Sequence, residues 1–277
     1  KEKGPESALA KQFLPEAQEN KNQSEVYDDP IGDQIHSPAP QLIHRYPSRA
    51  LFLPTSSCPV ICRYCFRKNE LHDGLEFLKP QNQQTLDYIK NHPEIKEIIW
   101  SGGDPLMLND TKILAWAKRF HELGIKALRF HTRFPVILPS RLTKDFSKAM
   151  EELANLFDIV TFVVHVNHPD EIDEDVTTKL KELRTLPINL LSQSVLLNGV
   201  NDSTDCLEEL FWKLALNGVA PYYLHHPDKV RGGEHFRLSI KKGRQLTAEL
   251  RNRLPGWAIP TYVLDLPGGA GKTPLYN

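Results

Sequence analysis

The stretch Ile95-Lys-Glu-Ile-Ile-Trp100-Ser-Gly-Gly-Asp-Pro105 decides the fold, because it joins a short apolar run to a glycine-containing loop. An amphipathic segment follows at 111–123, and a second apolar run comes directly after it at 127–130. A buried strand, a loop, a helix of roughly 10–15 residues and a further strand are typical of a βα unit in a parallel sheet.

The same alternation extends in both directions from this unit. Six units are fewer than the eight of a complete barrel, so we predict an α/β fold of the partial-barrel type, a (βα)6 barrel. A doubly wound sheet is the alternative, and in both folds ligands gather at the carboxyl ends of the strands. The apolar runs lie at 50–53, 95–100, 127–130, 159–166, 188–191 and 220–224, the helical segments at 81–91, 111–123, 143–156, 174–186, 204–217 and 240–254, and a last strand at 261–264.

Domain organisation is predicted from the change of composition near residue 45. Residues 1–45 form a polar N-terminal arm in which five prolines interrupt any helix, and we expect it to wrap on the main body. For the first twenty residues, a disordered tail fits the composition equally well. Residues 46–277 form the partial barrel, which ends in a short strand and a loop.

Composition and charge exclude several classes of protein. A formal charge of −1 does not indicate the excess of basic residues that is typical of general nucleic-acid binding. No apolar run approaches the roughly 18 residues that span a bilayer. Three of the four cysteines lie within eight positions, unlike the spread-out cysteines of a secreted disulfide scaffold. We therefore expect a cytoplasmic protein with a metal site.

The cysteine loop Cys58-Pro-Val-Ile-Cys62-Arg-Tyr-Cys65 has the spacing C-x3-C-x2-C. Three thiolates can hold three irons of a cubane cluster and leave the fourth iron open to an outside ligand. A structural zinc site would need four closed ligands. Cys206 lies about 140 residues further on, in a predicted helix, where a plain buried thiol is expected. His72 could in principle complete a zinc site, but the cluster is the favoured interpretation.

A second chemical candidate is Lys272 in Pro267-Gly-Gly-Ala-Gly-Lys272-Thr-Pro. A phosphate-binding loop would need glycine where Leu266 stands, and a helix where Pro274 follows. A lysine on a flexible glycine loop can instead form a Schiff base with pyridoxal phosphate. An exposed lysine in a loose tail remains the alternative.

With Tyr64 as its aromatic residue, the cysteine loop resembles the C-x3-C-x-aromatic-C signature of radical S-adenosylmethionine (SAM) enzymes. From about Gln12 to its end, the chain is similar to the lysine 2,3-aminomutase family. The matching segments are the cysteine loop, His44-Arg-Tyr-Pro-Ser-Arg49, Ser101-Gly-Gly-Asp-Pro105, Arg133-Phe-Pro-Val-Ile-Leu-Pro139, Asn167-His-Pro-Asp-Glu171, Gln193-Ser-Val-Leu-Leu197 with Asn201-Asp202, Pro221-Tyr-Tyr223 and Asp265-Leu-Pro-Gly-Gly-Ala-Gly-Lys272.

The resemblance implies a [4Fe–4S] cluster on Cys58, Cys62 and Cys65, with SAM on its open iron. The residues implied in SAM binding are Ser101, Gly102, Gly103, Asp104 and Gln193. On residues alone, the Gly-Gly-Asp-Pro run is equally good chemistry for a tight turn.

The resemblance also implies pyridoxal 5′-phosphate on Lys272 and a cationic amino-acid substrate. Arg67 matches the residue that pairs with the substrate carboxylate. The other implied contacts are Arg45, Tyr46 and Arg49 to the cofactor and its phosphate, and Asp228 and Asp265 to the distal ammonium of lysine. Arg49 could equally be a surface charge, and a lone carboxylate such as Asp228 is more often a surface or capping residue.

The activity implied is lysine 2,3-aminomutation, in which a 5′-deoxyadenosyl radical and pyridoxal phosphate convert L-lysine to β-lysine by a 1,2-amino shift. His225 and the run Tyr222-Tyr-Leu-His225 resemble the compact branch that supplies β-lysine for modifying elongation factor P. The same reaction on arginine, and a zinc-binding structural module, are the alternatives.

Implied partners are an electron donor such as flavodoxin or ferredoxin, and further copies of the chain in a homo-oligomer. No zinc is expected, because Ser203 stands where longer relatives carry cysteine and the sequence ends at Asn277, before their cysteine-bearing extension.

Overall fold

The computed structural model describes residues 4–21, 26–71, 82–267 and 271–275. In this part of the chain, nine strands form one sheet and follow one another in chain order from β1 to β9. The strands are β1 Leu42–Tyr46, β2 Arg49–Thr55, β3 Glu97–Gly102, β4 Ala127–Thr132, β5 Ile159–His165, β6 Asn189–Val195, β7 Ala220–His225, β8 Thr261–Asp265 and β9 Lys272–Pro274.

Strands β2 to β8 run parallel, and β1 and β9 pair antiparallel at the two edges. A doubly wound sheet reverses its strand order at a switch point. Since the order here is sequential throughout, the predicted partial barrel is confirmed. The edge strands β1 and β9 were not predicted, because each is only three to five residues long.

Helices alternate with the strands and cover the outer face of the sheet, where their apolar faces meet its side chains. The helices are α1 Ala8–Phe13, α2 Asn82–Asn91, α3 Asp110–Glu122, α4 Phe134–Ile137, α5 Lys144–Leu156, α6 Glu174–Arg184, α7 Thr204–Leu216 and α8 Ile240–Leu250. The predicted helix at 240–254 ends four residues early, shortly before Pro255. None of the described helices is long and apolar enough to cross a bilayer.

The core lies between the helices and the outward-facing residues of the strands. Phe52, Trp100 and Phe120 are fully buried there, with ring centroids 5.1–5.9 Å apart in edge-to-face geometry. Each large side chain buried in this way stabilises the fold by about 1.5–3 kcal/mol. Packing on the outer face of the sheet therefore stabilises the fold, and the inner face can carry polar groups.

Polar side chains alternate with apolar ones along β4, and its polar side chains lie on the inner face of the sheet. In β4, Leu128 and Phe130 are buried in the core, whereas Arg129 and His131 are only half-buried. The register aligns His165 of β5 with Gln193 of β6, and β8 and β9 align Asp265 with Lys272. The inner face thus collects charged and aromatic groups near the carboxyl ends of the strands.

The described part of the N-terminal arm lies against the barrel. Gln12 of α1 is fully buried, and Tyr27 forms a β-bridge with Val230. Strand β1 crosses the boundary between residues 45 and 46, so the end of the arm is already part of the sheet. The division into an arm and a barrel domain stays a prediction.

Candidate active site

The cysteine loop follows β2, at the carboxyl edge of the parallel sheet. Cys58, Cys62 and Cys65 are unpaired and half-buried. A turn closes the loop, because the Cys65 amide donates to the Cys62 carbonyl at 3.0 Å. The N-terminal arm contacts the cysteine loop, since Arg63 Nε donates to Glu19 Oε1 at 2.9 Å. The loop thus presents all three thiols from one short, supported segment.

The glycine loop after β3 packs directly against this cysteine loop. The Gly103 amide donates to the Thr55 carbonyl at 2.7 Å, and the Asp104 amide donates to the Ser57 carbonyl at 2.9 Å. A Cβ at Gly103 would lie 2.0 Å from the Ser57 carbonyl oxygen. Gly102 has φ +103°, a conformation that favours glycine. Both glycines therefore have a structural reason to be there, and Ser101 and Gly102 form the last two positions of β3.

Asp104 is buried and its carboxylate is occupied by donors from the protein. The amides of Leu106 and Arg133 donate to it at 3.0 and 2.7 Å, and the Thr132 hydroxyl donates at 2.8 Å. Burial raises the pKa of Asp104 to about 6, although these hydrogen bonds lower it. Asp104 ties the glycine loop to the end of β4, and its predicted contact with SAM stays a prediction.

Behind the cysteine loop lies a buried polar network centred on Arg133. The guanidinium donates from Nη1 to Cys62 Sγ at 3.0 Å and to the Tyr64 hydroxyl. From Nη2 it donates to Glu171 Oε2 at 2.5 Å and to Gln12 Oε1 at 2.8 Å. The network thus joins the arm, β4, the loop after β5 and the cysteine loop.

Asn167 completes this network from the end of β5. Its Nδ2 donates to the Tyr64 hydroxyl at 2.7 Å and to Gln12 Oε1 at 3.1 Å, and its Oδ1 accepts from the Val195 amide at 2.8 Å. Asn201 in turn donates to the Asn167 carbonyl at 2.8 Å. The segments that matched the family include Arg133, Asn167, Glu171 and Asn201, but the sequence alone gave these four residues no role.

The chemistry of the donors fits a cluster on the three thiols. Three thiols on one loop with an N–H donor at one sulfur are a typical iron–sulfur environment. Burial, and then the neighbouring Cys62, raise the pKa of Cys65 to about 12, so a thiolate there forms on metal ligation. Within the described ranges, no three His, Cys, Asp or Glu side chains converge closely enough to hold a single metal ion. His72 lies outside the described residues, and Cys206 is half-buried in α7.

Lys272 lies at the start of β9 with its ammonium against Asp265. Lys272 Nζ donates to Asp265 Oδ2 at 2.9 Å, and Arg45 Nη1 donates to Asp265 Oδ1 at 3.0 Å. Arg45 also donates from Nη2 to the Leu266 carbonyl at 2.5 Å. Asp265 therefore bridges two residues that the sequence assigned to pyridoxal phosphate.

Aromatic and cationic groups surround this end of the sheet. The Arg49 guanidinium stacks 3.8 Å from the centroid of the Tyr46 ring, and Lys272 Nζ lies 6.0 Å from the centroid of Tyr223. Gly271 has φ +83°, and a Cβ there would lie 1.7 Å from the Tyr46 hydroxyl. The glycine before Lys272 thus lets the loop close over Tyr46. Residues 268–270 of the loop lie outside the described residues.

Asp228 follows β7 and connects the two halves of the site. Burial, and then the charge of Asp265, raise the pKa of Asp228 to about 7, whereas Lys272 lowers it. Asp228 in turn contributes to the raised pKa of Cys65. The carboxylate therefore lies within electrostatic range of both the cysteine loop and Lys272.

Arg67 is buried and forms ion pairs with two acidic side chains of the same chain. It forms an ion pair with Asp33 of the arm, and its Nη1 lies 3.3 Å from Glu70 Oε2. The Nε atoms of Arg67 and Arg45 are buried without a hydrogen-bond partner among the described residues. Each is an unused donor for an anionic group, so the two arginines fit a substrate carboxylate and a phosphorylated cofactor.

Three histidines and Gln193 line the inner wall beside Lys272. Burial lowers the pKa of His131, His165 and His225 well below its ordinary value, and the charge of Lys272 lowers it further at His131 and His225. Gln193 Nε2 lies 3.5 Å from His165 Nδ1. The wall is therefore polar but uncharged at neutral pH.

Comparison with known proteins gives a consistent set of similarities. The model of the Radical SAM superfamily matches residues 52–205. L-lysine 2,3-aminomutase of Escherichia coli is 39% identical and covers 99% of this chain, which spans 80% of that protein. The enzyme of Haemophilus influenzae is 38% identical over 88% of this chain and 72% of its own length. That of Clostridium subterminale is 35% identical over 98% and 65%.

Solved structures agree on the fold. A radical SAM methyltransferase from Sphaerobacter thermophilus superposes with a TM-score of 0.57 at 18% identity, over 80% of this chain and 68% of that one. Streptococcus suis SuiB bound to the precursor peptide SuiA gives 0.56 at 15% identity, over 76% and 46%. At such identities the likeness extends to the fold alone.

Proposed function

Because the chain belongs to the radical SAM superfamily and, within it, to the lysine 2,3-aminomutase family, we propose that it is an isomerase that converts L-lysine to β-lysine. Its cofactors are a [4Fe–4S] cluster, SAM and pyridoxal phosphate. The observation that carries the proposal is the placement of Lys272 and Asp265 at 2.9 Å, with Asp228 in electrostatic range of both Lys272 and Cys65.

Bound together, these groups supply a carbon radical that removes a hydrogen atom from the substrate and an aldehyde that carries its amino group through the shift. The task of the protein is placement, because one C–H bond must meet the radical while water is excluded. We propose that Cys58, Cys62 and Cys65 hold the cluster. Ser101, Gly102, Gly103, Asp104 and Gln193 are the proposed SAM contacts, and Lys272, Arg45, Tyr46 and Arg49 are those of pyridoxal phosphate.

Substrate selection follows from the charges at this end of the sheet. Asp228 and Asp265 are the proposed partners of the distal ammonium of lysine, and each carboxylate contributes a charge-assisted hydrogen bond. The neutral histidines of the inner wall favour the same substrate, since protonated imidazoles there would repel an ammonium group. A glutamate side chain would meet two carboxylates and is disfavoured.

Arg67 is the proposed partner of the substrate carboxylate. Its free Nε supports this role, although Asp33 and Glu70 already share the guanidinium. A substrate carboxylate would therefore join or displace one of these two acids. Displacement of Asp33 would loosen the contact between the arm and the barrel.

Four finer proposals concern the setting of the reaction. A low-potential electron donor such as flavodoxin or ferredoxin would reduce the cluster. His225 in the run Tyr222-Tyr-Leu-His225 favours β-lysine supply for elongation factor P over degradative metabolism. A cytoplasmic location and homo-oligomers are proposed as well, the first because the clustered cysteines are unpaired.

The test is anaerobic reconstitution followed by incubation with lysine, arginine, ornithine or glutamate. We expect about four irons per chain, cleavage of SAM under strong reductant and formation of the β-isomer from lysine. Arginine as the better substrate would select the alternative aminomutase. Preferential uptake of zinc, with SAM left intact, would contradict the proposed function.

A further inference from the structure

Arg133 is a buried charged group that contacts a sulfur of the cysteine loop and that the proposed chemistry does not use. Its side chain is 6% exposed, and its Nη1 lies 3.0 Å from Cys62 Sγ. An N–H donor to a ligating sulfur is one of the levers by which a protein sets the reduction potential of an iron–sulfur cluster.

We propose that Arg133 is a positioning residue that raises the one-electron reduction potential of the cluster through Cys62, and that Gln12 of the N-terminal arm holds it there. This proposal rests on the proposed function only as far as the presence of the cluster. It requires neither pyridoxal phosphate nor lysine.

The sign follows from charge. Reduction adds one electron, delivered by a low-potential one-electron donor, and so makes the cluster and its thiolates more negative by one unit. A cation and a hydrogen bond at one sulfur stabilise the reduced form more than the oxidised form. Although burial lowers the pKa of Arg133, Cys62 and Glu171 raise it well above its ordinary value, so the guanidinium stays charged.

The position of the guanidinium is fixed by partners on two separate elements, the loop after β5 and helix α1. Glu171 Oε2 accepts from Arg133 Nη2 at 2.5 Å and Gln12 Oε1 accepts from the same nitrogen at 2.8 Å. Gln12 Nε2 also donates to Glu171 Oε1 at 3.2 Å, and the guanidinium lies 4.7 Å from the centroid of the Phe13 ring. The arm therefore completes the network and also contacts the cysteine loop, since the Arg63 amide donates to the Gln12 carbonyl at 2.8 Å.

Glu171 provides a matched test of opposite sign. Its carboxylate lies against the guanidinium and partly offsets its charge. Glu171→Gln removes that negative charge and keeps an amide of similar shape, so the potential should rise. Arg133→Gln removes the positive charge, so the potential should fall. A mere loosening of the loop would shift both variants in the same direction.

The experiment is a redox titration of the reconstituted full chain, followed by electron paramagnetic resonance, without lysine or pyridoxal phosphate. At a fixed potential we expect the ratio of reduced to oxidised cluster to fall about tenfold in Arg133→Gln, which is about 59 mV for one electron. Glu171→Gln should shift the ratio the other way. Gln12→Ala should shift it in the same direction as Arg133→Gln, by less. The control Lys148→Gln, on a side chain 75% exposed, should leave it unchanged.

Shifts of Arg133→Gln and Glu171→Gln in the same direction, or no shift in either at full iron and sulfide content, would overturn the proposal. If Arg133→Gln takes up no cluster, the shifts of Glu171→Gln and Arg133→Lys test the proposal instead. Arg133→Lys keeps the positive charge but loses the two donor nitrogens of the guanidinium. Its ratio of reduced to oxidised cluster should therefore lie between that of the wild type and the tenfold lower ratio expected for Arg133→Gln. A wild-type chain that holds no cluster would contradict the proposed function instead.

Discussion

Asp265 and Lys272 face each other across the antiparallel pair of β8 and β9, with Oδ2 at 2.9 Å from Nζ. Arg45 binds the other oxygen of the same carboxylate at 3.0 Å. Asp265 thus binds two cationic side chains at once. If a substrate ammonium binds Asp265 as proposed, it competes with Lys272 for this carboxylate.

Lys272→Ala should abolish turnover and the covalent attachment of pyridoxal phosphate, because no other lysine amine is placed against Asp265 among the described residues. The measurement is the visible absorbance that pyridoxal phosphate gains when a lysine binds its aldehyde. Lys241→Ala, on an exposed residue of α8, is the matched control and should keep that absorbance. Retention of the band in Lys272→Ala would exclude the assignment.

Asp228→Asn should weaken lysine binding, since it removes one of the two carboxylates proposed for the ammonium. The pKa of about 7 adds a pH dependence, because Asp228 is negatively charged only above that value. The KM for lysine should therefore fall as the pH rises from 6 to 8 in the wild type. In Asp228→Asn, KM should be higher and nearly independent of pH. A KM equal to that of the wild type across this range would contradict the role.

Asp228→Asn should also stabilise the fold at alkaline pH. The pKa of this carboxyl is raised from 3.8 to about 7 on folding, so the folded state binds more protons than the unfolded state between these values. The free energy of unfolding consequently falls as the pH rises through this window. Asparagine mimics the protonated acid and avoids the loss, so it should be more stable by about 4 kcal/mol at pH 8 and nearly equal near pH 4. Urea unfolding at both pH values measures this, and a variant less stable at pH 8 would contradict it.

Gly103→Ala should destabilise the fold by about 1–3 kcal/mol, because the new Cβ would lie 2.0 Å from the backbone of Ser57. Since the contact lies beside the cysteine loop, the iron content after reconstitution should fall as well. Thermal unfolding and iron analysis are the two measurements. Gly256→Ala is the control, because a Cβ there meets nothing within 4 Å. Equal stability of the two variants would show that the loops are not packed as described.

Asp104→Asn should lower the free energy of unfolding by about 1–3 kcal/mol, because an amide nitrogen would face the donors that now bind the carboxylate. The effect should persist without SAM. Denaturant unfolding of the cofactor-free chain checks it, with the exposed Asp158→Asn as control. An unchanged stability with a loss of SAM binding alone would assign Asp104 to the cofactor.

The sequence was most informative where chemistry and periodicity depend on neighbouring residues. The C-x3-C-x2-C spacing defines one loop, and the alternation of apolar runs with amphipathic segments predicted the sequential parallel sheet, which the structure confirms. Short edge strands were missed, because three residues such as Lys272–Pro274 carry too little periodicity to be recognised.

Long-range partnerships could not be predicted from the sequence. Nothing near Gln12 indicates that it meets Arg133, since the two lie 121 positions apart. The pairing of Arg67 with Asp33, and the occupation of Asp104 by Thr132 and Arg133, likewise depend on how distant loops meet. The roles of the candidate site residues were suggested by family resemblance, and they remain predictions for the experiments above.

The contact of Gln12 with Glu171 spans 159 positions of the chain. At a synthesis rate of about 5–20 residues per second, Gln12 is synthesised roughly 8–30 s before its partner exists. The network around Cys62 is therefore complete only after β5 has formed. Iron that is inserted into the nascent chain before that point would bind a cysteine loop that lacks Glu171 and its contact with Gln12.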